Sequence, residues 1–186
     1  PVAEHVARGV NNGNFLYSTS ETGMLTYATG NGSAGAGTTR QLAWFDRSGK
    51  FLSNVGMPVT STEVALSPDG KRIVQPKSLA TGSDLWVFDE QGIESRFTFA
   101  DGASRSAAWS PDGKLIAFAS SRGGTSGDIY QKASNNTGQD ELLYKSPVAK
   151  TPWGWSPDGR FIVFTSQDTN NQDDLLALPA KPGNGT

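Results

Sequence analysis

A tight-turn tetrapeptide recurs along the chain and constrains the fold more than any other feature. Ser-Pro-Asp-Gly followed by Lys or Arg occurs at Ser67–Lys71, Ser110–Lys114 and Ser156–Arg160, at offsets of 43 and 46 residues. A degraded copy, Ser20–Gly23, begins 47 residues before the first of them. A fixed period of this size is typical of architectures in which each repeat is one supersecondary unit. The sequence therefore predicts four units.

Each unit contains the signals of four short strands. Short apolar runs flank each turn, which predicts a hairpin, because Pro and Gly pre-set the turn between two strands. A third strand is predicted to begin at Asp84, Asp128 and Asp174, 17 or 18 residues after the turn serine. A fourth strand is predicted within 51–55, 93–99 and 141–145. Four strands in about 45 residues are typical of a propeller blade.

We therefore expect an all-β protein, a β-propeller of four-stranded antiparallel blades with about four blades present. The blades are predicted over 15–56, 59–99, 102–146 and 149–180, and residues 1–10 as the closing strand of a preceding blade or of the last one. A ring of four closed by Val2–Val10 is one alternative. We favour part of a larger, six- to eight-bladed ring, because four blades is the lower limit for propellers. A start at Pro1 rather than Met fits a processed or excised segment.

Composition argues against several classes of partner. Sixteen Lys and Arg against eighteen Asp and Glu give a net charge of −2 without a run of like charges, so we expect no binding of nucleic acid or of an anionic membrane surface. The chain has no Cys, which excludes disulfides and thiolate metal sites. No apolar stretch approaches the roughly 18 residues of a membrane span, so we expect a membrane link only through other parts of a parent chain.

The repeat resembles a known family. Residues 109–120, Trp-Ser-Pro-Asp-Gly-Lys-Leu-Ile-Ala-Phe-Ala-Ser, followed by Asp128-Ile129-Tyr130, resemble the TolB-like β-propeller repeat, and the resemblance covers about residues 15–180. Such propellers occur in periplasmic TolB proteins, in front of prolyl-oligopeptidase-type hydrolases, and as extracytoplasmic regions of bacterial eukaryotic-like serine/threonine kinases. The stretch 41–50, which contains Trp-Phe-Asp-Arg-Ser-Gly-Lys, is similar to the kinase-linked group.

The resemblance implies a non-catalytic module that binds a protein, a peptide or a small ligand in a periplasmic or extracytoplasmic location. The kinase-linked sensor or scaffold is the first interpretation, a TolB-like periplasmic propeller the alternative, and the propeller of a prolyl-oligopeptidase-type hydrolase the third. The chain lacks the kinase motifs His-Arg-Asp, Asp-Phe-Gly and Val-Ala-Ile-Lys. It also lacks a Gly-x-Ser-x-Gly elbow, and its single histidine is His5, so we expect no enzyme activity from this segment.

Two motif matches do not carry a cofactor or metal prediction. Residues 30–35 match Gly-x-Gly-x-x-Gly, but they lie in a Gly/Ser/Thr-rich stretch without a following helical pattern, so a dinucleotide is not expected. Residues 168–174 alternate oxygen ligands like a calcium loop, but Asp173 replaces the required Gly and Pro179 the final Glu. We therefore predict neither a cofactor nor a metal.

The repeated acids and tryptophans are interpreted structurally. Asp69, Asp112 and Asp158 each lie in the turn of a different blade, which keeps them apart, and the three aspartates before the third strands are interpreted as turn and cap residues. Four of the five tryptophans occupy repeat-equivalent positions and are predicted to fill the space between blades: Trp44, Trp86, Trp109 and Trp155.

Candidate ligand-binding residues lie where the chain enters each innermost strand, because loops there surround the channel mouth of a propeller. Thr62, Arg105 and Thr151 each lie five residues before a turn serine, and Lys150 is adjacent to Thr151. Trp153 is a further candidate, because it lies near a strand start and is much larger than its repeat counterparts Val64 and Ala107. Arg105 is the strongest candidate, because a guanidinium without an internal partner can pair with a carboxylate or a phosphate.

Overall fold

The structure, a computed structural model, describes residues 17–19, 25–28, 39–46, 48–61, 63–99, 101–124, 127–167 and 172–180. These residues form fifteen β-strands and one short 3-10 turn at Arg122–Gly124, which confirms the predicted all-β class. The predictions made for residues 1–10, for the glycine-rich stretch 30–35, for Thr62 and for 168–171 lie outside the described residues.

The strands form four successive blades, each with its strands in chain order. The first blade contains β1 (Tyr17–Thr19), β2 (Leu25–Ala28), β3 (Arg40–Phe45) and β4 (Phe51–Val59); the second contains β5 (Ala65–Leu66), β6 (Arg72–Leu79), β7 (Gly82–Asp89) and β8 (Glu94–Arg96). The third contains β9 (Gly102–Trp109), β10 (Leu115–Ser120), β11 (Asp128–Ala133) and β12 (Glu141–Tyr144); the fourth contains β13 (Lys150–Trp155), β14 (Phe161–Gln167) and β15 (Asp173–Pro179). Strand β1 contacts β5, β5 contacts β9, and β9 contacts β13. These four strands are therefore the innermost strands of their blades.

The Ser-Pro-Asp-Gly turns form the same hydrogen bonds in each copy. In the third blade the Ser110 hydroxyl donates to Oδ1 of Asp112 at 2.7 Å, and the backbone N–H of Lys114 donates to the same oxygen at 3.0 Å. The N–H of Gly113 donates to the Ser110 carbonyl at 2.8 Å, which closes the turn. The corresponding bonds occur around Asp69 and Asp158. The interpretation of these aspartates as turn residues is confirmed.

The hydrophobic core lies between the blades. One cluster packs residues of the first blade against the second: Leu42, Trp44 and Val55 against Leu66, Ile73 and Phe88. A second cluster packs the second blade against the third: Val74, Leu85, Val87 and Phe97 against Trp109, Ile116 and Phe118. Each fully buried side chain of this size contributes roughly 1.5–3 kcal/mol, so contacts between blades supply much of the stability.

Two repeat-equivalent tryptophans bind the preceding blade in the same way. The indole N–H of Trp109 donates to the carbonyl of Ala65 at 3.1 Å, and that of Trp155 donates to the carbonyl of Ala108, also at 3.1 Å. Ala65 and Ala108 are themselves repeat equivalents, since each immediately precedes the last residue of its innermost strand. The predicted interblade role of these two tryptophans is confirmed.

A short parallel pairing joins the second and third blades and was not predicted. Gly82 of β7 pairs with Gly102 of β9, and Ser83 with Ala103. A Cβ on Gly82 would lie 2.2 Å from the carbonyl oxygen of Gly102, and both glycines have positive φ. The close backbone approach therefore requires glycine. Because β8 contains only three residues, it leaves the start of β7 open to this second pairing.

One surface of the fourth blade is open. We call the surface formed by Trp153, Val163, Thr165 and Leu175 the open face. Leu175 is 71% exposed, whereas Leu85 and Ile129, which follow the corresponding aspartates in the second and third blades, are fully buried. The same repeat position is thus buried wherever the described structure places another blade against it.

Candidate functional site

Arg105, Lys150 and Thr151 lie toward the end of the blades where β9, β11 and β13 begin, which we call the entry end. Antiparallel order places the starts of the first and third strands of a blade at the same end. Arg105 lies near the start of β9, Asp128 opens β11, and Lys150 opens β13. The structure therefore brings Arg105 of the third blade and Lys150 of the fourth blade to the same end.

Lys150 is not available to a ligand, contrary to its predicted place at the channel mouth. Its side chain is fully buried, and its ammonium group donates to Oδ1 of Asp128 at 3.0 Å and to the carbonyls of Ser146 and Gly127 at 2.9 and 3.2 Å. These three bonds use its three donors. Strand alternation is the reason, because neighbouring residues point to opposite faces and Lys150 faces the third blade.

The aspartates at the starts of the third strands do more than cap turns. Asp128 accepts one backbone N–H, from Ser146 at 3.3 Å, but its main partner is the buried ammonium of Lys150. Asp84 is equally buried and binds the guanidinium of Arg96 and the hydroxyl of Thr98. Asp174, the third copy, is exposed in the fourth blade. The sequence shows the aspartates recurring but not their partners, which come from other strands.

Arg105 is exposed and lies at the seam between the third and fourth blades. Its side chain shares a face with Ala119, its partner across the strand pair. A Cβ placed on Gly127 would lie 3.9 Å from Nη2 of Arg105 and 3.7 Å from the carbonyl oxygen of Lys150. The guanidinium therefore lies beside Gly127, above the buried ion pair of Lys150 and Asp128.

Among the arginine side chains that the structure describes, Arg105 is the one without a hydrogen-bonding or ionic partner. The others are all engaged: Arg72 with the carbonyls of Gly113 and Ser134, Arg96 with Asp84, Arg122 with Asp140, and Arg160 with Asp158. A guanidinium remains charged at any physiological pH and carries five donors. Arg105 thus offers an unused charge and unused donors at the entry end.

Glu63 is a residue of this region that the sequence did not single out. Its carboxylate accepts the backbone N–H of Ser106 at 2.5 Å and lies 3.4 Å from the Ser106 hydroxyl. Ser106 has φ of 53° and lies in a β-bulge of β9, which turns its N–H out of the strand ladder. Glu63 occupies the same repeat position in the second blade as Ser106 in the third. Only an alignment of these two blades could therefore have drawn attention to Glu63.

Thr151 and Trp153 lie on the other side of β13 from Lys150. Thr151 is half-buried opposite Thr165, and the indole N–H of Trp153 donates to the Thr165 hydroxyl at 3.1 Å. Trp153 is 57% exposed, but it belongs to the open face of the fourth blade. The structure therefore places Arg105 at the entry end and Trp153 on an interblade surface.

Two further findings concern metal binding and membrane insertion. Within the described ranges, no group of three or more Asp, Glu or His side chains is arranged to hold a metal ion. The described part of the chain also contains no helix with the length and apolar character that crossing a membrane requires.

The fold and site define a β-propeller whose innermost strands present an unpaired arginine at one end. A family profile with the description TolB beta propeller domain matches residues 48–178. The chain belongs to the TolB beta propeller domain family, as the repeat predicted. No curated protein matches the chain.

Solved structures share this fold at low sequence identity. The chain is similar to a putative TolB from Agrobacterium tumefaciens, with a TM-score of 0.69 and 22% identity over 88% of this chain and 57% of that one. For TolB from Acinetobacter baumannii the values are 0.67 and 20%, over 88% and 40%. A chain from a structural and mechanistic analysis of two prolyl endopeptidases gives 0.61 and 18%, over 90% and 28%. This chain therefore spans between about a quarter and three fifths of the length of these proteins.

Proposed function

We propose that this chain is a non-catalytic binding module that docks a protein or peptide partner at the entry end of its blades. The observation that carries the proposal is the exposed guanidinium of Arg105, which has no partner, while every other arginine whose side chain the structure describes has one. Support for a non-catalytic role comes from the aspartates, since those of the turns bind their own turn backbone and Asp84 and Asp128 form ion pairs.

The larger protein to which the module belongs is part of the proposal. The similarity of residues 41–50 to kinase-linked propellers supports an extracytoplasmic sensor or scaffold region of a bacterial receptor-like serine/threonine kinase. The two TolB neighbours support the alternative, a periplasmic propeller that docks a protein or peptide. The prolyl endopeptidase neighbour supports the third, the propeller of a hydrolase. The gene sequence flanking this segment tests the three, because a kinase domain, a signal peptide and a hydrolase domain are mutually distinguishable.

Peptide selection tests the binding function directly. A random-peptide display library would be panned on the immobilised 186-residue chain, and the affinities of enriched peptides measured for wild type, Arg105→Ala and Arg160→Ala. Arg160 is a matched control, because it is exposed but lies in a turn at the opposite end of the blades and pairs with Asp158. We expect Arg105→Ala to weaken binding about tenfold or more, the effect of losing a charge-assisted hydrogen bond, and Arg160→Ala to leave it unchanged. No enrichment, or equal binding by both variants, would contradict the proposal.

A further inference from the structure

We propose that the group recognised by Arg105 is a single carboxylate, that of one Asp or Glu side chain of a peptide partner. This inference rests on the proposed function and names the chemistry of its partner. Three observations carry it: how the chain uses its other guanidiniums, which acids near Arg105 are already engaged, and how many free charges the entry end offers.

The described arginines show which partner a guanidinium takes in this protein. Three of the other four bind an aspartate, and Arg96 places both Nε and Nη2 on one oxygen of Asp84, at 2.8 and 2.5 Å. Both bonds are charge-assisted, and such bonds are roughly twice as strong as neutral hydrogen bonds. Arg105 has the same donors, but none of the residues that the structure describes provides it with such a partner.

Two acids of this region are engaged elsewhere. Glu63 binds the Ser106 N–H, and Asp128 is held by the buried ammonium of Lys150. If either carboxylate left its partner, a buried or half-buried polar group would lose its hydrogen bond or counter-charge. Gly127 adds no side chain beside the guanidinium, and Arg105 itself is exposed. Because these two acids are engaged, we assign the carboxylate bound by Arg105 to a partner.

The local charge favours a carboxylate over a phosphate. Lys150 is neutralised by Asp128 and buried, and Thr151 contributes no charge, so Arg105 is the free positive charge in this described cluster. Glu63 adds a negative charge close by, because its carboxylate binds the backbone N–H of Ser106, the residue after Arg105. Glu63 repels either anion, but a phosphate of charge close to −2 is repelled more strongly and exceeds the single positive charge of Arg105, whereas the single charge of a carboxylate is balanced by it.

The test uses the peptides enriched by the selection described above. Each Asp or Glu of an enriched peptide is replaced singly by Asn or Gln, which keeps the shape and removes the charge. We expect one replacement to weaken binding to the wild-type chain about tenfold or more and to have no further effect on Arg105→Ala, since the two changes remove the same bond. The Arg105→Glu variant should regain affinity for a peptide in which Lys replaces the sensitive Asp or Glu.

Each outcome separates this inference from the proposed function. If enriched peptides depend on Arg105 but tolerate every Asp and Glu replacement, the carboxylate inference is wrong while the binding function stands. If inorganic phosphate displaces the peptides more effectively than acetate at equal ionic strength, the recognised group is a phosphate and the inference is also wrong. If no peptide binds the wild-type chain, the proposed function itself fails.

Discussion

The ammonium group of Lys150 lies 3.0 Å from Oδ1 of Asp128, and both side chains are almost completely buried between the third and fourth blades. A buried pair of this kind links its two blades only while both partners are present, because either charge left without the other is costly in a medium of low polarity. At the interface between the second and third blades, by contrast, Asp84 is neutralised by Arg96 of its own blade.

Removing one partner of the buried pair should destabilise the protein strongly. We expect Lys150→Met to lower the free energy of unfolding by about 3–5 kcal/mol, because Asp128 is then left without its counter-charge. Replacing both residues, as in Lys150→Met with Asp128→Leu, should cost less than the single change. Urea denaturation followed by circular dichroism measures both values. Equal losses in the single and the double variant would show that the pair is not coupled.

The interblade indole bonds give a second prediction. Trp155→Phe removes the N–H that binds the Ala108 carbonyl while keeping most of the apolar surface, so we expect a loss of about 1–2 kcal/mol. Trp153→Phe is the matched control, because Trp153 is exposed, and its change should cost about 0.5 kcal/mol or less. Denaturation curves of the two variants provide the comparison, and a larger loss for Trp153→Phe would contradict this account.

The turn aspartates predict a pH dependence at the acid end. The Ser156 hydroxyl, the backbone N–H of Arg160 and its guanidinium lower the pKa of Asp158 to about 2. A carboxyl whose pKa falls on folding stabilises the folded state above its unfolded pKa near 4, and this contribution is lost as pH falls toward 2.

Carboxyl carbon NMR shifts of Asp158 would measure that pKa directly. We expect a titration midpoint near 2 in the folded protein and a higher midpoint in Ser156→Ala, because the largest favourable hydrogen bond is then missing. A midpoint near 4 in the wild-type protein would mean that the turn does not hold the ionised form.

The open face of the fourth blade predicts self-association of the 186-residue chain. Leu175 presents apolar surface at a position that is buried in two other blades, and exposed apolar patches of this kind promote association. We expect sedimentation velocity to show concentration-dependent oligomers that Leu175→Lys reduces. Ile93→Lys is the control, because Ile93 is 68% exposed in a turn of the second blade. Equal behaviour of both variants would exclude the open face as the contact.

The candidate site divides into what residue patterns predict and what they do not. Arg105 was predicted in the chain that enters an innermost strand, and the structure shows it exposed but already within β9. Lys150, one position before the equivalent Thr151, was assigned to the same surface, yet it is buried, because a one-residue step in a strand reverses the direction of the side chain. The hydrogen bond between Glu63 and Ser106 depends on a β-bulge, and no local sequence pattern predicts that bulge.

The sequence by itself determined the repeat, the turns and the propeller family, because a Ser-Pro-Asp-Gly turn contains its own hydrogen-bonding partners within five residues. The tertiary structure alone decided which charges are free. Asp84, Asp128 and Asp174 occupy the same place in their repeats, but the first two are buried in ion pairs and the third is exposed. Their partners lie on other strands, 12 and 22 residues away for the two pairs, so only the packing of strands and blades determines whether a given charge finds a partner.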